Sequence, residues 1–154
     1  MVDGKEVMAD FQFIGNRVNS FSMETKLIET KGKKVVPDFQ YDYTVCECDE
    51  ANGKYFGIIE FIVHAKAKVG KINLFKIDLT MEGAFIGNPD ALTKERFEEM
   101  LEQNGIVTLS QISRSFLLSV TSQSGINPPV RLPMINVVVL NEKKRAEKEG
   151  MPKE

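Results

Sequence analysis

The sequence predicts an α+β domain in which a four-stranded antiparallel sheet comes first and helices follow. Three observations carry this. Between residues 9 and 83, four stretches have strand composition: two alternate apolar and polar residues with a clear period of two, one does so in part, and one is apolar on both faces along half its length. Two of the joints between these stretches, Asn52-Gly53 and Val69-Gly70-Lys71, have hairpin composition. After Gly87-Asn88-Pro89 the apolar period lengthens to that of a helix, and the stretch Gly105–Asn136 closes on Gly125 and Pro128-Pro129, which stop a helix. With 154 residues the chain reads as one domain spanning 1–154, with an ordered core at about 9–140 and a charged tail over 141–154.

The first strand covers Ala9–Glu24, with Phe11, Phe13, Val18, Phe21 and Met23 partly alternating and Gly15-Asn16 marking a bulge or bend. Thr25–Val36 is a connection, not an element. Its Lys26, Lys31, Lys33 and Lys34 surround Gly32 without the interleaved aromatics of a nucleic-acid patch, so it reads as a solvated loop. After Pro37 the second strand alternates Phe39, Tyr41, Tyr43 and Val45 with polar residues. The third, Lys54–Val69, is apolar on both faces along half its length (Tyr55, Ile59, Phe61 and Val63 against Phe56, Ile58 and Ile62), as a central covered strand is. The fourth, Asn73–Gly83, sets Phe75, Ile77, Leu79 and Met81 against Lys76, Asp78 and Thr80. Tight hairpins after one long loop suggest a Greek-key sheet. Thr93 is a helix N-cap, and Leu92, Phe97, Met100 and Leu101 give one apolar side up to an Asn104-Gly105 stop. The long helix follows. Its Leu109, Ile112, Phe116 and Val120 form an apolar stripe, and Ser110, Ser113, Ser119 and Ser122 form a second, small surface suited to another copy of the chain. Val137–Leu140 reads as a short buried extension or irregular packing, and the tail beyond it as frayed or helical on the surface.

Composition excludes several function classes. A net charge of −2 offers no basic excess for nucleic acid. No apolar run reaches the roughly 18 residues of a membrane span, and the start MVDGKEVMADF lacks a secretory pattern, which predicts a cytoplasmic protein. Cys46 and Cys48 would lie on one face of a strand about 7 Å apart, too far for an undistorted disulfide. With His64 the only histidine, they read as reduced thiols, not as the start of a metal site. Gly83, Gly87 and Gly105 fit no phosphate-loop spacing, Glu98-Glu99 point apart on a helix, and no supporting motif surrounds His64. These residues predict no enzyme and no cofactor.

The succession of elements resembles the SecB family of bacterial export chaperones. The residues that carry the likeness are Asp10-Phe11-Gln12-Phe13 in the first strand and Phe75-Lys76-Ile77-Asp78-Leu79 followed by Glu82-Gly83-Ala84-Phe85. Leu109–Ser124 with Gly125, Pro128-Pro129, Leu132-Pro133 and Ile135-Asn136 completes it. It extends over residues 9–140 through short motifs, and the order of those motifs weighs more than any one of them. The resemblance implies a sheet of order 1-4-3-2 with the C-terminal helices on one face. It also implies dimers that pair into a homotetramer with the serine-bearing helices between sheets, and an ATP-independent holdase that keeps preproteins unfolded for the translocase motor SecA. An unfolded client calls for sequence-tolerant apolar contact. The groove residues so implied are Phe21, Met23, Leu27, Ile28, Phe39, Tyr41, Tyr43, Val130, Leu132 and Met134. Family members that dock SecA carry acids on the first and last strands. Here Asp78 matches the last-strand acid, Lys76 replaces an apolar neighbour, and Val18–Ser22 holds no acid. The competing expectation is an adaptor of the same fold that binds one defined partner, such as an antitoxin. A small-molecule binder is a third, for which no polar anchor set can be named.

Overall fold

A computed structural model describes residues 1–150. Four long strands, β1 (Phe11–Thr25), β2 (Val35–Ala51), β3 (Lys54–Val69) and β4 (Ile72–Gly87), form one antiparallel sheet of order β1-β4-β3-β2. The β2–β3 joint is the predicted hairpin: Asn52 and Gly53 both take positive φ (53° and 71°), which the two-residue turn requires. The long β1–β2 connection carries the chain across the sheet, so that β1 and β2 become opposite edges. The strands run longer than their alternating cores indicate, and β4 continues to Gly87.

Alternation sorts the two faces. Ile59, Phe61 and Val63 of β3 and Ile77, Leu79, Met81 and Phe85 of β4 are fully buried beneath the helices, while their neighbours in sequence point the other way. β1 carries extra residues at Ile14 and Asn19, and β2 at Cys46. The bulge at Cys46 breaks the regular strand spacing between the two cysteines, and both thiols are free.

The helical layer differs from expectation at the joint between its first two helices. Asn104-Gly105 does not end a helix: α1 (Lys94–Met100) runs through a π turn over Leu101–Gly105 directly into α2 (Ile106–Ser122), with right-handed helical dihedrals at Leu101, Gly105 and Ile106. A glycine costs an exposed helix about 1 kcal/mol, and tertiary contact outweighs that here. Gly105 is buried against Ile59 and Phe85 of the sheet, where a β-carbon would meet them at ordinary contact distance (3.4 and 3.5 Å). On the sheet, Gly57, Gly83 and Gly87 leave room for Leu101, Leu109 and Phe97. Phe97 is clamped at that end by Tyr55 (5.4 Å, stacked) and Phe11 (5.6 Å, tilted).

Helix α3 (Val137–Gly150) occupies most of the region read as a charged tail; residues 151–154 lie outside the described ones. Asn136 starts it by accepting from the Val139 N–H. Its docking is specific. Asn141, 4% exposed, donates to the Glu102 carbonyl in the π turn, where the regular helical ladder is interrupted. Lys144 pairs with Asp42 and lies 5.3 Å above the Tyr43 ring.

Candidate functional site

Beyond the end of α2 the helical layer stops short of the sheet, and a groove of about 660 Å³ opens there. Its floor is Phe39 of β2, Ala67 of β3, and Leu74 and Phe75 of β4. One lip is the crossover after β1, with Thr25, Lys26, Leu27, Ile28, Thr30 and Val35; the other is the return Ser124–Arg131. The volume lies within the range of ligand clefts, and the side chains are mostly apolar.

The return lip is held by one buried hydroxyl. Thr121, 0% exposed in the last turn of α2, donates to the Leu117 carbonyl (2.6 Å) and accepts from the Val130 N–H (2.8 Å). Pro128 and Pro129 prevent the helix from continuing, and this bond turns the chain back along it. The crossover lip is held less firmly. Its backbone is tied by Lys26 N–H to the Leu74 carbonyl and by the Lys33–Thr30 turn, and Leu27 is fully exposed, at 107%.

Of the ten side chains expected to form a groove, Leu27, Ile28, Phe39 and Val130 converge here. The others lie elsewhere. Phe21 meets Phe116 of α2 edge-on at 5.2 Å, Met23 packs half-buried against the core, and Tyr41 stacks on Phe61 at 5.8 Å. Tyr43 (3% exposed) and Leu132 (2%) are core residues, which corrects their assignment to a groove. The reason is where the helices end. Phe39, Tyr41 and Tyr43 share one face of β2, but α3 covers the Tyr43 end through Lys144 and leaves the Phe39 end open. Met134 is exposed beside Gln111, outside the groove lining. Sequence reasoning missed Ile126 and Leu74. The signal for Ile126 was its place between the Gly125 stop and the prolines; Leu74 stands on the face of β4 read as polar.

The serine surface divides in the same way. Ser110, Ser119 and Ser122 are outward, with Ser110 and Ser122 donating to carbonyls of their own helix at 2.8 Å. Ser113 is 0% exposed and faces the chain's own core, so its assignment to an intersubunit face is corrected. The inward stripe of α2 is Ile106, Leu109, Ser113, Leu117 and Thr121, and the expected Ile112 and Phe116 lie half-buried on its flank.

Asp78 lies on the opposite face of the sheet, paired across the strands with His64 and flanked by Lys66 and Lys76 around a shallow cavity of about 290 Å³. The chemistry of the thiols is quiet. Burial pushes the Cys48 thiol up to about 11, and raises Cys46 as well. Among the described residues, no three His, Cys, Asp or Glu side chains converge as metal ligands would. No described helix is long and apolar enough to cross a membrane.

No protein-family model and no curated protein matches the chain. Among solved structures it is similar to the SecB-like chaperone Rv1957 of Mycobacterium tuberculosis, determined in complex with a ChAD peptide from the HigA1 antitoxin. The TM-score is 0.66 at 14% identity, over 86% of this chain and 96% of that one. A protein of unknown function from Streptococcus agalactiae matches with a TM-score of 0.47 at 14% identity, over 80% and 97%. The first likeness establishes the fold as SecB-like, with the sheet order and C-terminal helices that the sequence implied.

Proposed function

We propose that this chain is a nucleotide-independent holdase that grips extended apolar polypeptide segments in the groove between the crossover and the Ser124–Arg131 return. The observation that carries the reading is the groove itself. It combines an apolar floor, a lip pinned to α2 through Thr121, and a lip bearing a wholly exposed leucine. An exposed apolar side chain over an apolar trough gains contact area only when something covers it, and an unfolded chain supplies that without demanding a sequence. Binding the unfolded chain and not its native form delays client folding by mass action. The groove contains no convergent nucleophile, base or metal set, which favours a binding protein over an enzyme. The SecB-like neighbour, described with an antitoxin peptide, supports a polypeptide as the occupant.

The same neighbour favours a second reading, in which the groove serves one dedicated partner. Delivery to an export motor has less support, because Val18–Ser22 of β1, which pairs with β4 as far as Asp78, holds no acid, and Lys76 and the Asp38-paired Lys66 line the same cavity as Asp78. Self-association is part of the proposal, through the outward face of α2 that carries Ser110, Ser119 and Ser122 beside the exposed Val107.

The test is aggregation of a chemically denatured client on dilution, with and without the chain and without nucleotide, alongside its mass in solution. The holdase reading expects stoichiometric suppression by an oligomer for unrelated clients. Suppression of a single defined partner only would establish the dedicated reading, and a monomer without effect on any client would refute both.

A further inference from the structure

The groove has a charge that the chain as a whole does not. Its two lips, residues 25–35 and 124–131, hold five cations (Lys26, Lys31, Lys33, Lys34 and Arg131) against the single acid Glu29, within a protein of net charge −2. Lys26 and Arg131, one on each lip, line the groove directly, and no carboxylate does. Both are exposed, and among the described residues neither forms an ion pair. Thr30 and Val35 also line the groove, so the turn between them, with its three lysines, stands at the mouth. Unmatched cations around an apolar trough leave one electrostatic requirement for whatever fills it.

Resting on the holdase reading, we infer that the groove selects apolar segments flanked by acidic side chains, and discriminates against basic ones. The apolar residues of such a segment lie on Phe39, Leu74 and Phe75, while its flanking carboxylates meet Lys26 on one lip and Arg131 on the other. Selection by the groove is then a product of two parts. Apolar burial supplies most of the affinity without regard to sequence, and charge decides which apolar segments are retained.

The experiment uses fluorescent peptides, acetylated and amidated so that termini carry no charge, sharing one apolar centre and differing only in flanks of Glu and Asp, Gln and Asn, or Lys and Arg. Binding is read by anisotropy at about 0.1 M and about 1 M salt, where the screening length falls from roughly 10 Å to 3 Å. An exposed ion pair is worth up to about fivefold in affinity. With two lining cations, the acidic peptide should bind about tenfold more tightly than the neutral one in low salt, and the basic one more weakly than either. The preference should collapse at high salt. In the Lys26→Gln/Arg131→Gln protein the acidic preference should fall to the small part that the three mouth lysines retain; in the Lys26→Glu/Arg131→Glu protein, whose lips then hold three cations against three acids, it should vanish. Thermal melting checks that these surface variants fold. Equal binding of all three peptides would overturn the charge selection and leave the holdase reading standing. An acidic preference that survives both variants would place the recognition elsewhere and also overturn it. Failure of every peptide to bind would overturn both.

Discussion

Leu27→Ser separates client binding from folding more cleanly than any other single change. The side chain is fully exposed at the groove lip, so folding removes none of its surface from water and its loss should shift stability by no more than about 0.5 kcal/mol. Under a bound client the same side chain would be covered. Complete burial of a leucine is worth about 1.5–3 kcal/mol. A side chain covered from one side by a peptide gains roughly half of that or a little more, about 1–2 kcal/mol, or 5- to 30-fold in affinity. The control is Leu109→Ala. Leu109 is 0% exposed against Gly83, and its truncation should cost about 2–5 kcal/mol of stability. Urea unfolding and peptide anisotropy on both variants form the assay. Unchanged peptide affinity in Leu27→Ser, or a loss of stability above about 1 kcal/mol, would refute the reasoning that Leu27 is held out of the core for contact with a client.

Three further outcomes follow from the packing. Thr121→Val keeps the shape but leaves the buried Val130 N–H unpaired, and should cost about 1–3 kcal/mol in urea unfolding while speeding hydrogen exchange of that amide. Gly83→Ala would normally gain roughly 0.5–1 kcal/mol in a strand, but its β-carbon would stand 2.7 Å from Leu109 Cδ2, so the expected outcome is a net loss of about 1–3 kcal/mol; a stabilised variant would contradict the close approach of helix and sheet. Burial, with the Glu102 carboxylate adding to it, pushes the Tyr43 phenol up to about 12. Because the folded chain favours the neutral phenol, this contribution is fully present below pH 10 and is lost as pH rises from 10 through 12; an ultraviolet alkaline titration should show a late-ionising tyrosine that Tyr43→Phe removes.

The sheet was legible because its signals are local. Asn52-Gly53 marks a turn by its own backbone preference, and the apolar run that follows it is bounded by that turn and by Gly70, so β3 appears with the predicted bounds Lys54–Val69. The phase of α2 was not legible. Periodicity picks out Leu109, Ile112, Phe116 and Val120, yet Ser113 and Thr121 occupy the inward line. Contacts from other elements decide this: Leu101 and Leu109 fit over Gly57 and Gly83, which fixes the helix rotation and turns the two hydroxyls inward. The Asn104-Gly105 stop failed for a related reason, since burial of that turn against the sheet outweighs the weak helix propensity of glycine. The candidate site was half legible. The groove implied by the resemblance included Leu27, Ile28, Phe39 and Val130, but the sequence does not show where a helix ends above a strand. Tyr43 under Lys144 and Phe39 in the open groove have the same alternating pattern.

The central claim is that clients occupy the groove between the crossover and the proline-bounded return. Nuclear magnetic resonance of the labelled chain, titrated with an unfolded apolar peptide, tests it most directly. The account predicts that shift changes concentrate at Leu27, Ile28, Phe39, Ile126 and Val130. Changes confined to the opposite face around His64 and Asp78, or none at saturating peptide, would contradict it.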